Sequence, residues 1–340
     1  METYSKPMNC LRENLFEKHD IQVGKIRRKP DFIQIEPTTY CNLDCRFCNR
    51  KYIKRINQHF NIDLLKSIVK SNKKLKSISF VGIGEPLLNP MLFQMIALCK
   101  SKGIRTSINT NGSLLSNNAK KLAASGLERL QVSFDASTQQ TLQKLKSRLS
   151  LNDIIEGVNK AAEVAFESKM DITFHTTLSD FNIRELPAIV TLAAKLKINE
   201  ITTEGIHHWD NRYDNNKHSI YNMNQESVKM IFKEACDEAK KNRITLKIIP
   251  VERIGNYKKP ENYHCPWPWD SCFITVEGDV TPCCICIDPN LAKLGNLADT
   301  SFEKIWNSFE YQVFRNSFIN GTRKKFCLNC HYLLTYGEEI

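Results

Sequence analysis

Short apolar runs alternate with helical patterns along most of the chain. Between residues 31 and 206 six stretches read as strands: "DFIQIEPT" (31–38), "SISFVGIGE" (77–85), "RTSINTNG" (105–112), "RLQVSFDA" (129–136), "DITFHTTL" (171–178) and "EITTEGI" (200–206). β-branched and aromatic residues dominate them. Apolar positions at helical spacing fill 61–73, 88–102, 115–125, 151–167, 183–197 and, after the last strand, 224–241. In "LNDIIEGVNKAAEVAFESK" they recur at three and four, and Asn152 or Asp153 is the expected cap. Repeated strand–helix units imply parallel strands joined by right-handed crossovers. Six of them predict an α/β fold, a partial (β/α)6 TIM-like barrel, with its chemistry at the C-terminal ends of the strands.

Beyond about residue 245 the pattern changes. "CFITVE", a turn at Glu277-Gly278-Asp279 and "VTPCC" read as a hairpin, and a helix is expected at 301–318. The expected organisation is an N-terminal extension (1–30), the barrel (31–245) and a small α+β domain (246–340).

An apolar fraction of 41% over 340 residues fits a globular protein. The net charge of +11 could attract nucleic acid, anionic lipid or an acidic protein. The lysines are spread along helical stretches such as "LLKSIVKSNKKLKS", without interleaved aromatics, so a solvated surface is favoured over nucleic-acid binding. No apolar run approaches the roughly 20 residues of a membrane span. The start lacks the apolar stretch of a secretory signal. A cytoplasmic location with reduced thiols is therefore expected.

Thirteen cysteines then point to metal. Cys41, Cys45 and Cys48 form one group; Cys265, Cys272, Cys283, Cys284, Cys286, Cys327 and Cys330 form another. Cys10, Cys99 and Cys236 stand alone and read as packing or surface residues. The first group has the spacing C-x3-C-x2-C and no fourth ligand nearby, whereas structural zinc needs four. A four-iron cluster held there keeps one iron open.

This spacing after the first strand resembles the radical S-adenosylmethionine (SAM) superfamily. The likeness extends over residues 31–206 through "GIGEP" (82–86), "NTNG" (109–112) and "VSFDAS" (132–137). It implies a [4Fe–4S] cluster on Cys41, Cys45 and Cys48, with SAM on the open iron. It implies SAM contacts from Gly84, Glu85, Asn111, Ser133 and Asp135, with Glu85 near the methionine ammonium. Lys146 takes the place of the family's carboxylate-binding arginine, with Arg148 close by. The implied chemistry is reductive cleavage of SAM to a 5′-deoxyadenosyl radical that abstracts hydrogen. The implied reductant is an acidic electron donor such as a flavodoxin or ferredoxin.

Cys265-x12-Gly278-x4-Cys283, followed by Cys327-x2-Cys330, resembles the truncated SPASM module called the twitch domain. That resemblance implies an auxiliary [4Fe–4S] cluster on Cys265, Cys283, Cys327 and Cys330. Cys272 is an alternative to Cys265, and Cys284 and Cys286 are unassigned. A second cluster suits two-electron oxidation of a small polar substrate, such as a sugar or aminocyclitol alcohol. The alternative is crosslinking or epimerisation of a ribosomal peptide, and a non-catalytic iron–sulfur sensor is a remote third. The molybdenum-cofactor cyclase family differs in its C-terminal cysteine spacing. Glu204 and His207 are the candidate proton acceptors, with His175, His208 and Trp209 as further substrate contacts.

Overall fold

The computed structural model describes residues 29–206, 216–249, 265–328 and 330. Seven strands run parallel and in chain order: β1 (Phe32–Ile35), β2 (Ser77–Phe80), β3 (Arg105–Thr110), β4 (Arg129–Ser133), β5 (Asp171–Leu178), β6 (Glu200–Gly205) and β7 (Thr245–Ile249). The helices between them are α1 (Ile62–Ser71), α2 (Leu92–Ser101), α3 (Leu115–Ser125), α4 (Gln139–Leu145), α5 (Leu151–Ser168), α6 (Leu186–Lys195) and α7 (Gln225–Asn242). Alternate strand residues such as Ile33, Ile35, Ile78, Phe80, Leu130 and Val132 are fully buried and share one core with apolar faces of the helices. That burial, rather than strand propensity, holds the sheet in register.

The C-terminal part contributes α8 (Trp267–Asp270), β8 (Ser271–Ile274), β9 (Asp279–Thr281), β10 (Gly295–Asn296), α9 (Phe302–Trp306), α10 (Phe309–Ile319) and α11 (Lys325–Leu328). The expected hairpin is β8–β9, paired antiparallel. Its first strand also pairs parallel with β1, Ile35 opposite Ile274. The ten strands thus make one open sheet in the order β10-β9-β8-β1-β2-β3-β4-β5-β6-β7. The fold is a partial barrel with a small C-terminal domain grafted onto its first strand.

Several elements differ from the sequence reading. A seventh parallel strand, "TLKII", begins at the expected domain boundary; it is an edge strand, exposed or half-buried throughout, so its apolar signal is weak. Helix α4, "QQTLQKL", is short and polar. The cap of α5 is Ser150, whose Oγ accepts from the Asp153 N–H at 3.3 Å; Asn152 and Asp153 lie inside the helix. The expected helix 301–318 is broken where the Ser308 Oγ caps α10 through the Tyr311 N–H.

Arg315 on α10 holds the C-terminal domain together from inside. It is 1% exposed, donates to the Pro268 and Trp306 carbonyls at 2.8 Å each, and lies over the Trp306 and Tyr311 rings. Arg315→Ala removes both hydrogen bonds and the ring contacts, so an unfolding free-energy loss of about 3 kcal/mol is expected in denaturant titration.

Candidate iron–sulfur and SAM site

The chain leaves β1 through "EPTTY" and enters the loop that carries the first three cysteines. Two threonines close the neck of that loop. Thr39 Oγ1 accepts from the Gln58 N–H at 2.8 Å and donates to the Ile56 carbonyl at 3.0 Å. Thr38 pairs with His59 as an isolated antiparallel bridge. Arg46 anchors the far side on α4, its Nε donating to the Lys144 carbonyl at 2.8 Å. Phe47 packs against Phe181 and His218, with ring centroids 6.0 and 5.5 Å apart.

Cys41, Cys45 and Cys48 lie in each other's fields. Burial pushes the Cys45 thiol up to about 12, helped by the other two cysteines, and shifts Cys41 and Cys48 in the same direction. Among the described residues no group of three or more His, Cys, Asp or Glu is spaced to hold a single metal ion. Three neighbouring thiols on one loop fit an extended cluster, which takes one thiolate at each corner. Cationic iron would offset the burial that now keeps the thiols protonated.

The end of β2 runs hard against this loop. A Cβ on Gly84 would lie 2.2 Å from the Thr38 carbonyl oxygen and 2.6 Å from that of Tyr40, so only glycine fits. The next residue, Glu85, donates its N–H to the Tyr40 carbonyl at 2.8 Å. Its buried carboxylate accepts from Thr110 Oγ1 at 2.7 Å, the Asn111 N–H at 2.8 Å and the Leu87 N–H at 3.1 Å. Burial nevertheless raises its pKa. The side chain of Asn111 donates to Asn42 Oδ1 at 3.1 Å, beside Cys41. Ser133 Oγ donates to Asn109 Oδ1 at 3.1 Å.

Lys146 and Asp135 form a buried ion pair at 2.7 Å. Lys146 Nζ also donates to the Ser133 carbonyl, and Asp135 accepts from the Thr177 N–H. Burial works against the ammonium, but Asp135 and the neighbouring Cys45 outweigh it and hold Lys146 charged. Arg148 is exposed. The interior cation of this segment is therefore Lys146.

Further along, β5 and β6 place His175 beside Glu204, Nε2 to Oε2 3.3 Å. Burial lowers the imidazole pKa, but the hydrogen bond and charge of Glu204, with Asp135 behind, raise it overall. His207 lies outside the described residues, as do His208, Trp209 and Cys10. The His175–Glu204 pairing escaped the sequence reading, although a two-residue alternation along each strand could have flagged both side chains for one face.

Cys265, Cys283, Cys327 and Cys330 line a single cavity with Trp267, Phe314 and Phe318. These are the four cysteines of the expected auxiliary set. Cys272 is fully buried on β8, in the field of Arg315 and away from that cavity. Cys286 hydrogen-bonds Cys283 and holds it below the usual thiol range. Cys284 is raised by burial, by Cys283 and by the Glu204 carboxylate.

A buried carboxylate joins the two cysteine regions. Glu36, just after β1, accepts from the Ile83 N–H at 3.2 Å and the Val276 N–H at 3.0 Å. It is paired with Arg55 from the cluster loop, which also pairs with Glu277 in the β8–β9 turn. Nothing in the sequence marks this triad.

The model of the radical SAM superfamily matches residues 35–193, and that of an iron–sulfur cluster-binding domain, SPASM, matches residues 265–331. The chain carries a radical SAM domain. The two domains imply a SAM-bound [4Fe–4S] cluster and an auxiliary one. Similar proteins include the GTP 3′,8-cyclase of Aliarcobacter butzleri, 31% identical over 166 residues, 47% of this chain and 51% of that protein. A probable GTP 3′,8-cyclase of Sulfurisphaera tokodaii is 25% identical over 250 residues, 70% of this chain and 77% of that one. The chain spans about half the length of the Aliarcobacter protein. Among solved structures, Streptococcus suis SuiB bound to SAM superposes with a TM-score of 0.70 at 17% identity, covering 95% of this chain and 75% of that one. BtrN in complex with SAM and 2-DOIA superposes with a TM-score of 0.52 at 17% identity, covering 92% and 97%. These two likenesses concern the fold. Among the described residues of this radical SAM protein no helix is long and apolar enough to cross a membrane.

Two outcomes are expected. Anaerobic reconstitution should give about eight irons per chain, falling to about four in Cys265→Ser and staying near eight in Cys272→Ala, by colorimetric iron assay. Arg55→Met leaves Glu36 buried without its cation and should cost about 3–5 kcal/mol near neutral pH. With Arg55 gone, burial raises the folded-state pKa of Glu36 further above its unfolded value. The protonated form is then stable, and stability is lost as pH rises through that folded pKa. The deficit should therefore be smaller at pH 5 than at pH 8 in urea titrations.

Proposed function

We propose that the enzyme oxidises a small polar substrate by two electrons, converting an alcohol such as that of a sugar or aminocyclitol to a carbonyl. The observation that carries this reading is the His175–Glu204 pair at the C-terminal ends of β5 and β6, with Glu204 in the field of Cys284 beside the auxiliary ligand Cys283. The bound cofactors would supply a hydrogen-abstracting radical and a one-electron acceptor. The chain's own task is to take the remaining proton. Glu204 engages Nε2 of His175, which leaves Nδ1 as the basic atom once the ring is neutral. The Lys146–Asp135 pair would fix charge beside the SAM-binding thiols and keep Asp135 from competing as a base.

The name GTP 3′,8-cyclase belongs to the relatives. What favours a different reaction here is the SPASM-type match over residues 265–331, in which Cys265, Cys283, Cys327 and Cys330 line one cavity and would fill all the ligand positions of an auxiliary cluster. Such a cluster suits electron transfer better than substrate chelation.

The test is incubation of the reconstituted protein with SAM, reductant and deuterated candidate alcohols. Deuterium in 5′-deoxyadenosine and a product about two mass units lighter than the unlabelled alcohol support oxidation. An unlabelled alcohol recovered about one mass unit heavier from D2O would sink it in favour of epimerisation. His175→Ala should lower kcat about 100-fold or more. Because Glu204 raises the His175 pKa, Glu204→Gln should move the acidic limb of the kcat/KM profile to lower pH.

A further inference from the structure

We infer that Arg315 is the buried counter-charge of the auxiliary cluster and, with the Tyr311 hydroxyl beside it, raises the reduction potential of that cluster. The inference rests on the auxiliary-cluster reading of Cys265, Cys283, Cys327 and Cys330. It names the side chain that would make such a cluster a better electron acceptor.

Arg315 is a cation at a core position. It is 1% exposed, and among the described residues no carboxylate pairs with it. Nε and Nη1 donate to the Pro268 and Trp306 carbonyls, and the guanidinium lies over two aromatic rings. Nη2 is buried without a hydrogen-bond partner. Carbonyls and rings orient a guanidinium but leave its net charge standing. Burial accordingly draws its pKa down to about 10. A charge so placed is costly unless an anion meets it, and a packed apolar side chain would fill the position at less cost. The acidic groups in whose field it lies are the Tyr311 hydroxyl and the Cys272 thiol. Burial keeps both protonated. The balancing negative charge therefore lies elsewhere.

The auxiliary cavity is the place for it. Tyr311, Phe314, Arg315 and Phe318 form the buried face of α10, and Phe314 and Phe318 line that cavity with the four cysteines. So does Pro268, whose carbonyl Arg315 holds. The guanidinium sits 4.2 Å from the centre of the Tyr311 ring, and the Tyr311 hydroxyl is in the field of Cys283. That hydroxyl is buried without a partner, and so is Thr281 Oγ1, two residues before Cys283. Buried donors left open beside a cavity of thiolates fit an anionic group within it. Four thiolates outweigh the charge of a [4Fe–4S] core, and reduction adds one more negative charge. A fixed cation and a hydroxyl donor lower the energy of the more anionic state, the more so in a low dielectric. The guanidinium exchanges neither electron nor proton. Arg315 is thus a positioning residue, acting through the cluster.

The test is an EPR-monitored redox titration of the full chain carrying Cys41→Ala, Cys45→Ala and Cys48→Ala, so that the auxiliary cluster alone reports. In that background Arg315→Met should disfavour the reduced state about tenfold, a fall of about 59 mV for one electron. Arg315→Lys keeps the charge and should stay near the native potential. Tyr311→Phe removes a hydroxyl without a partner and should disfavour reduction about threefold. Cys272→Ala should leave the potential unchanged. A native potential in Arg315→Met overturns the proposal. So does an equal fall in Arg315→Lys, the mark of a purely structural role. A rise in Cys272→Ala also overturns it, since the Cys272 thiolate would then be the counter-charge. If Arg315→Met retains no iron, Tyr311→Phe decides, and a native potential there overturns the proposal. Lowered potentials with no oxidised product from any deuterated alcohol leave the counter-charge standing and sink the oxidation reading. An oxidised product with unchanged potentials does the reverse.

Discussion

Glu36 is a fully buried carboxylate at the end of the first strand, and much of the site is organised around it. A buried carboxylate without partners would be prohibitive. Here its charge is met by Arg55 and by the backbone N–H groups of Ile83 and Val276. Those three partners come from the cluster loop, the "GIGEP" segment and the β8–β9 hairpin. One side chain thus sets the relative position of three functional parts. It also explains the first glycine of "GIGEP", since a Cβ on Gly82 would lie 2.3 Å from the Glu36 Cγ. The second glycine, Gly84, answers to a different constraint, the backbone of the cluster loop.

The pairing of β8 with β1 extends the same logic. The strand that launches the first cysteine loop is hydrogen-bonded along its length to β8, the first strand of the hairpin that leads to Cys283. Two regions distant in sequence are therefore fixed by one ladder rather than by a linker. Relative motion between them would break main-chain hydrogen bonds and expose Ile274 and Cys272, both fully buried. A rigid spacing of that kind suits electron transfer between the two sites, and the buried Arg315 stiffens the outer side of the assembly.

The polar residues at the strand ends are already engaged with one another. Glu85 ties β2 to β3, Asp135 binds both Lys146 and the backbone of β5, and Glu204 holds His175. Each hydrogen bond removes a rotamer choice before any ligand arrives, so the arrangement is preorganised. The same contacts explain why charged groups persist at such depth: each has a partner of opposite charge or several donors.

Much of this was legible locally. Alternating apolar periodicity marks the first six strands and most of the helices because burial demands it of neighbouring residues in the chain. The spacing of Cys41, Cys45 and Cys48, and of Cys327 and Cys330, is likewise a property of single loops. What the sequence could not decide depends on residues far apart. Arg55 meets Glu36 across 19 residues and Glu277 across 222. His175 meets Glu204 only through the register of β5 against β6. The spacing to Gly278 favours Cys265 over Cys272; the pairing of β8 with β1 then buries Cys272 in the sheet, while Cys265 lines the auxiliary cavity. The residue types and short spacings of the chain therefore determine which chemistry it can carry. Tertiary structure alone decides which charges are neutralised and which thiols converge, because both depend on through-space distance between segments that the local chain does not constrain.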